Sequence, residues 1–217
     1  MADKKNYKEM LKKGVKISLD VLHVAFSAAG VLNPIFSVAG SVVGVLSNFV
    51  KTDEMEKLKQ DFEEIHIKIE TTSKECDELL VKIRQDTITI QYSKTESNIK
   101  HQFREYTKFI KDEITKEVFV RSFRRSGDDT NLYDLYDGVV GTKLAFSTPI
   151  LEAYSGCTLK EMQAVCARLM NLFAIGLVAL MSYKSIRGDD MEELKDEWYE
   201  KMENIVEKMS TKIAEYS

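Results

Sequence analysis

The chain has 217 residues, enough for one large or two small domains with a substantial core. Its 31 basic and 35 acidic residues give a formal net charge of −4, so it lacks the basic excess expected of a general nucleic-acid-binding protein. Only two prolines interrupt it, which favours helices, and its three cysteines (Cys76, Cys157 and Cys166) are too few and too scattered for a disulfide framework and indicate a reducing compartment.

Residues 1–20 are predicted to form a basic amphipathic helix. Five lysines fall along one side of this helix, with apolar residues opposite. Such a helix is either simply solvated or is attracted to anionic lipid. The apolar run that follows is about twice as long as the ~7–15 residues of a signal-peptide core, so we expect no cleaved signal peptide. The anionic-lipid candidates are Lys4, Lys5, Lys8, Lys12 and Lys16.

Residues 21–50 contain no Asp, Glu, Lys or Arg in a chain that is otherwise rich in charge. Pro34 disfavours one straight helix, so we predict two short apolar helices, Ser18–Leu32 and Pro34–Val50. Gly40 and Gly44 share one face, where another backbone can approach closely. This apolar hairpin is a membrane span, the core of a soluble bundle, or a sheltered segment that can be released into lipid. The membrane-contact candidates are Phe26, Val31, Leu32, Ile35, Phe36, Val42, Val43 and Phe49.

Residues 51–125 are predicted to form long charged helices. Apolar residues spaced alternately by four and three predict one helix from Asp53 to about Ile90. The polar stretch 92–98 is predicted to break it, with Ser93 or Thr95 capping a second helix that runs to about Phe123. We favour an antiparallel hairpin of these two helices over a single kinked rod.

Residues 126–157 are predicted to form a loop and two short helices. Gly127 is expected to end the preceding helix, and the neighbouring arginines 121, 124 and 125 suit the C-terminal turn of that helix. A short apolar helix over 132–140 is expected to end at Gly138–Gly141, and another begins at Pro149 and stops at Gly156.

Residues 158–217 are predicted to form two long helices. Thr158 and Glu161 form a capping-box pattern at the start of the first, whose centre, residues 169–183, carries no formal charge and is expected to be buried. Gly176 is expected to mark close packing there. The second helix, from Asp190 to about Tyr216, has an excess of acidic residues that is expected to pair with the basic N-terminus.

Several blocks of sequence resemble a known family. TESNIKHQFREY at 95–106, FRRSGDDTNLYDLYDGVVG at 123–141, PILEAY at 149–154 and CARLMNLFAIGLVALMSY at 166–183 are similar to the fish rapunzel proteins. That group in turn resembles the helical part of the cephalotoxin-like family, which includes cytotoxins of marine invertebrates. The resemblance implies an all-α protein, intracellular or membrane-associated, without enzymatic residues.

The sequence contains no pattern typical of a catalytic or metal site. The three histidines, at 23, 66 and 101, lie far apart and beside no nucleophile motif, and Asp134 and Asp137 lack a third partner. We therefore expect no enzyme activity, no cofactor and no metal.

The predicted fold is a single all-α domain over residues 1–217, an elongated bundle of long amphipathic helices around the apolar N-terminal hairpin. Two functions remain open. One is a membrane-associating protein that resembles α-helical pore-forming toxins, whose partners are a lipid membrane and further copies of the chain. The other is a soluble intracellular interaction or regulatory protein with the hairpin as permanent core. The expected location is cytoplasmic or membrane-associated.

Overall fold

The structure is a computed structural model that describes residues 10–24 except positions 12, 19 and 23, together with residues 89–141 and 148–216. All regular structure in these ranges is helical, as predicted. The described residues of 10–24 are helical and are called here the N-terminal segment. The further helices are α1 (Thr89–Ile110), α2 (Lys116–Arg125), α3 (Thr130–Val140), α4 (Ile150–Ala153), α5 (Leu159–Arg187) and α6 (Met191–Ala214).

Helix α5 is the centre of the bundle. It contacts α1, α3 and α6, and its residues 169–183 are all buried, as the charge-free sequence predicts. The predicted capping box is present: the Thr158 hydroxyl accepts from the Glu161 amide, and the Glu161 carboxylate accepts from the Thr158 amide. Gly188 ends the helix in the left-handed conformation, with φ of 81°.

Gly176 is a point of close contact, as predicted. A Cβ atom built there would lie 2.5 Å from Leu132 Cδ1 and 3.3 Å from Ile99 Cγ2. The missing side chain therefore lets α1 and α3 pack tightly against α5.

Helix α6 confirms the predicted C-terminal helix. The Asp190 carboxylate accepts hydrogen bonds from the amides of Glu192 and Glu193 and so caps its start. Its apolar face lies in the core, where Trp198 is fully buried. The buried face comprises Leu194, Trp198, Met202, Ile205, Val206, Met209 and Ile213.

The predicted break at residues 92–98 is wrong, because α1 runs through it without interruption. Thr95 and Glu96, expected near a helix start, are buried inside the helix. Glu96 is satisfied there by an ion pair with Arg168 of α5. A tertiary contact thus overrides the local preference of serine and threonine for caps.

The predicted continuous helix to Phe123 is also wrong. The chain leaves the helix after Ile110 and restarts at Lys116, with Thr115 as the N-cap residue. Asp112 has a φ of 58°, a left-handed conformation that ends the helix. The apolar spacing continues across this turn, and for that reason periodicity alone did not reveal it.

The turn between α2 and α3 is held by side-chain amides. Asn131 Nδ2 donates to the Ser126 carbonyl at 2.7 Å, and Gln102 Nε2 donates to the Asp128 carbonyl at 2.8 Å. Gly127, with a φ of 104°, makes the predicted turn. Gly138 lies inside α3, and the helix ends at Gly141.

The predicted helix boundary at Ser18 is wrong. Described residues on both sides of it are helical, and the Ser18 hydroxyl is buried and donates to the Val15 carbonyl. The helix of the basic region therefore continues into Ser18. The remainder of the hairpin and the predicted helix from Asp53 lie outside the described residues.

Candidate functional site

The N-terminal segment is docked against the central helix. A Cβ atom added to Gly14 would lie 2.6 Å from the backbone oxygen of Met181 in α5. The Ser185 hydroxyl of α5 also donates to the Met10 carbonyl at 2.6 Å. The backbones of the N-terminal segment and α5 are therefore in direct contact, because Gly14 has no side chain to separate them.

The start of the apolar run is buried in the same core. Val21 and Leu22 are both 0% exposed and belong to the main hydrophobic cluster, with Val15 and Ile17 of the same segment. Val24, two residues further on, is 37% exposed. The first two residues of the predicted hairpin are therefore sheltered from water.

Only one sequence-predicted site residue is described. Lys16 is exposed, on the outer side of the N-terminal segment. The hydrogen bond and the charge of Lys195 are the main causes that lower the pKa of Glu192, and the Lys13 charge contributes less. The pairing of the acidic C-terminal helix with the basic N-terminus stays a prediction. The other predicted site residues lie outside the described ranges: Lys4, Lys5, Lys8, Lys12, Phe26, Val31, Leu32, Pro34, Ile35, Phe36, Gly40, Val42, Val43, Gly44 and Phe49.

Helix α5 meets the length and apolarity needed to cross a membrane. Its most apolar 18-residue window has a mean hydropathy of 2.0, and 89% of that window is buried in the bundle. The central helix of a soluble bundle passes the same test, so this helix alone does not decide between the two functions.

A buried ion pair joins α1 to α5. Arg168 Nη2 lies 2.6 and 2.8 Å from the two carboxylate oxygens of Glu96, and Lys100 Nζ lies 2.6 Å from one of them. Burial of the carboxylate opposes ionisation, but the charges of Arg168 and Lys100 outweigh it and lower the pKa of Glu96. A second ion pair of α5, between Lys184 and Asp129 at 2.8 Å, joins it to the N-cap residue of α3.

A basic groove lies between α1 and α2 and was not predicted. Its volume is about 370 Å³. Arg121 and Arg125 lie one turn apart on α2 and are exposed. Arg124 and Arg125 lie in the last turn of α2, as predicted for this arginine cluster, and the groove beside them is a further feature that the sequence pattern does not show. The lining of this α1–α2 groove comprises His101, Glu105, Val118, Arg121, Ser122, Arg125 and Ser126.

Arg124 does not line the groove with Arg121 and Arg125 but contacts α5. Its Nε donates to the Tyr183 hydroxyl at 3.0 Å, and Arg187 Nη1 donates to the same oxygen at 3.1 Å. The buried Tyr183 ring stacks on Phe123 with centroids 4.2 Å apart. This arrangement fixes α2 against α5 and so sets one wall of the groove.

The Cys166 thiol is expected to be unreactive in the native protein. It is fully buried, and burial raises its pKa to about 12, so the reactive thiolate is scarce at neutral pH. Iodoacetamide followed by peptide mass mapping should label Cys166 only after denaturation, whereas the half-buried Cys157 should label in the native protein. Equal native labelling of both cysteines would contradict the buried packing of α5.

Comparison with known proteins agrees with this architecture. Residues 50–217 match the cephalotoxin-like middle helical domain. The chain belongs to that family. It is also 41% identical over 209 residues to protein rapunzel of Danio rerio, an alignment that covers 93% of this chain and 92% of the relative. No solved structure gives a significant match.

Membership of the cephalotoxin-like family confirms the resemblance noted in the sequence blocks. The matched region begins at residue 50, where the apolar run ends, and contains both α5 and the α1–α2 groove. The N-terminal segment precedes that region. In the described part of the chain no group of His, Cys, Asp or Glu is arranged to hold a metal ion.

Proposed function

We propose that this protein is a non-enzymatic, membrane-associating helical protein whose apolar hairpin, residues 21–50, is sheltered in the soluble form and enters lipid when released. The observation that carries the proposal is the burial of Val21 and Leu22 at the start of a thirty-residue run without charge. The whole run exceeds the roughly 20 apolar residues of a single spanning helix, and the break predicted at Pro34 divides it into two shorter helices that enter lipid together as a hairpin.

The docking of the N-terminal segment supports a releasable arrangement. The segment contacts α5 through Gly14 and through the hydrogen bond from Ser185 to the Met10 carbonyl, and four of its apolar side chains (Val15, Ile17, Val21 and Leu22) are buried in the core. The central helix keeps α1, α3 and α6 around it, so loss of the segment leaves most of the described core in place. Release therefore costs less than unfolding of the bundle.

The second candidate function is a soluble interaction protein with the hairpin as permanent core. The near-complete burial of α5 favours it, because a bundle with a well-covered apolar centre is stable in water without any membrane step. In that case the charged outer faces of the helices are the surface for protein partners.

Vesicle leakage separates the two functions. Purified protein should release a trapped dye from vesicles that contain anionic lipid, and Val43→Asp should abolish most of that release, because a charge at a helix centre in lipid costs about 2.5–3.5 kcal/mol. Leakage is measured by dye dequenching across a range of pH, after circular dichroism shows that both proteins are equally helical.

The matched control places aspartate on an exposed apolar residue outside the hairpin. Leu159 is 36% exposed at the start of α5, and Leu159→Asp should leak like the wild type. Absence of wild-type leakage at every pH rejects membrane insertion and favours the soluble interaction protein.

A further inference from the structure

The α1–α2 groove carries positive charge in a protein of net charge −4. Arg121 and Arg125 are exposed, and neither has a carboxylate within ion-pair distance among residues 89–141 and 148–216. The one carboxylate in the lining, Glu105, is already paired with Lys108 at 2.8 Å. Two guanidinium groups therefore face the groove without a counter-charge from the described chain.

Hydrogen bonds in the groove orient a further donor. Arg104 Nη2 lies 2.8 Å from His101 Nδ1, and His101 Nε2 lies 3.0 Å from the Ser122 hydroxyl oxygen. Arginine can only donate, so Nδ1 accepts and the neutral ring carries its proton on Nε2. Nε2 then donates to Ser122, whose own hydroxyl proton is left to donate into the groove.

We propose that the α1–α2 groove binds a phosphate monoester. Arg121 and Arg125, one helical turn apart, supply planar forks of N–H donors that match phosphate oxygens, and Ser122 supplies a third donor between them. The volume of about 370 Å³ lies within the usual range for a small-molecule site.

The phosphate monoester belongs either to a lipid headgroup or to a free small molecule, and inositol phosphates are the probes that represent the two sources in the test. Both present the same dianion to the groove, and binding does not require the apolar hairpin. The proposal is therefore independent of the membrane-insertion function: a protein that never causes leakage can still bind phosphate here.

The test measures binding of the full-length protein in two arms. Inositol trisphosphate is titrated calorimetrically, and vesicles with phosphatidylinositol bisphosphate are compared by co-sedimentation with phosphatidylserine vesicles of equal total charge. Arg121→Gln with Arg125→Gln should weaken binding roughly tenfold or more in whichever arm the wild type binds. Arg121→Lys with Arg125→Lys keeps the charge but loses the fork, and should bind with intermediate affinity.

The matched control removes two exposed positive charges outside the groove lining, in Lys94→Gln with Lys160→Gln. It should bind within about twofold of the wild type at physiological salt, where distant surface charges are screened. Binding in the soluble arm alone assigns a free inositol phosphate, and tighter binding to bisphosphate vesicles assigns a lipid headgroup. No wild-type binding in either arm, or an equal loss in the control, overturns the proposal.

Discussion

Glu96→Ala is expected to lower the free energy of unfolding by about 3 kcal/mol. Breaking a buried ion pair from one side costs about 3–5 kcal/mol, because the remaining charge is left in the interior. The Arg168 side chain retains 16% exposure, and for that reason we expect the lower end of this range. Urea unfolding followed by circular dichroism measures the change.

The control for this prediction removes both charges. Glu96→Leu with Arg168→Met replaces the pair by apolar side chains of similar size, and should recover most or all of the lost stability. A double variant as unstable as Glu96→Ala would show that the loss comes from changed packing of α1 and not from removing the Glu96 carboxylate beside Arg168.

The Glu96–Arg168 ion pair also makes the free energy of unfolding depend on pH. The pKa of Glu96 is lower in the folded protein than its ordinary value of 4.5. Its stabilising contribution is therefore complete above the unfolded pKa and is lost as the pH falls through the folded pKa. Glu96→Gln should flatten the fall in unfolding free energy below about pH 4.5 relative to the wild type.

Gly14→Ala is expected to undock the N-terminal segment. The new Cβ would lie 2.6 Å from the Met181 backbone oxygen, and a helix backbone cannot move aside as a side-chain end can. Overpacking typically costs about 1–3 kcal/mol, and we expect the upper part of this range. Limited proteolysis should cut the segment faster while most of the helical circular dichroism signal remains.

Two other glycines provide graded controls for the Gly14 variant. Gly176→Ala meets the tip of Leu132, a side chain that can shift, and should destabilise less. Gly156→Ala has no atom within 4 Å of the new Cβ and should behave like the wild type. If Gly14→Ala resembles Gly156→Ala in proteolysis, the segment is not held by this contact.

If membrane insertion follows release of the N-terminal segment, the Gly14→Ala protein should also cause vesicle leakage at a lower protein concentration than the wild type.

Helices α5 and α6 were predictable because the sequence patterns that mark them lie within each helix. A capping box at Thr158, a charge-free centre and an apolar stripe ending near Ile213 all lie within single helices. The break at residues 111–115 was missed because the apolar spacing crosses it unchanged, and no glycine or proline marks it.

The α1–α2 groove could not be predicted from local patterns. The groove forms because His101 of α1 makes a hydrogen bond with Ser122 of α2, and because Arg124 binds Tyr183 of α5 instead of lining the groove. Sequence spacing shows which arginines share a helix but not which of them lacks a carboxylate neighbour. Long-range pairs such as Glu96 with Arg168, which are 72 residues apart, are likewise invisible before folding.

The hydrogen bond from Ser185 to Met10 spans 175 residues of sequence. During synthesis Met10 must therefore wait until Ser185 of α5, 175 residues later, has left the ribosome before the two can make this contact. Until α5 emerges, the N-terminal segment with its apolar residues Val21 and Leu22 cannot dock on it, and hydrophobic surface that is exposed in this way makes a nascent chain prone to aggregate. Holding factors that bind nascent apolar chains thus have a long time window in which to capture this protein.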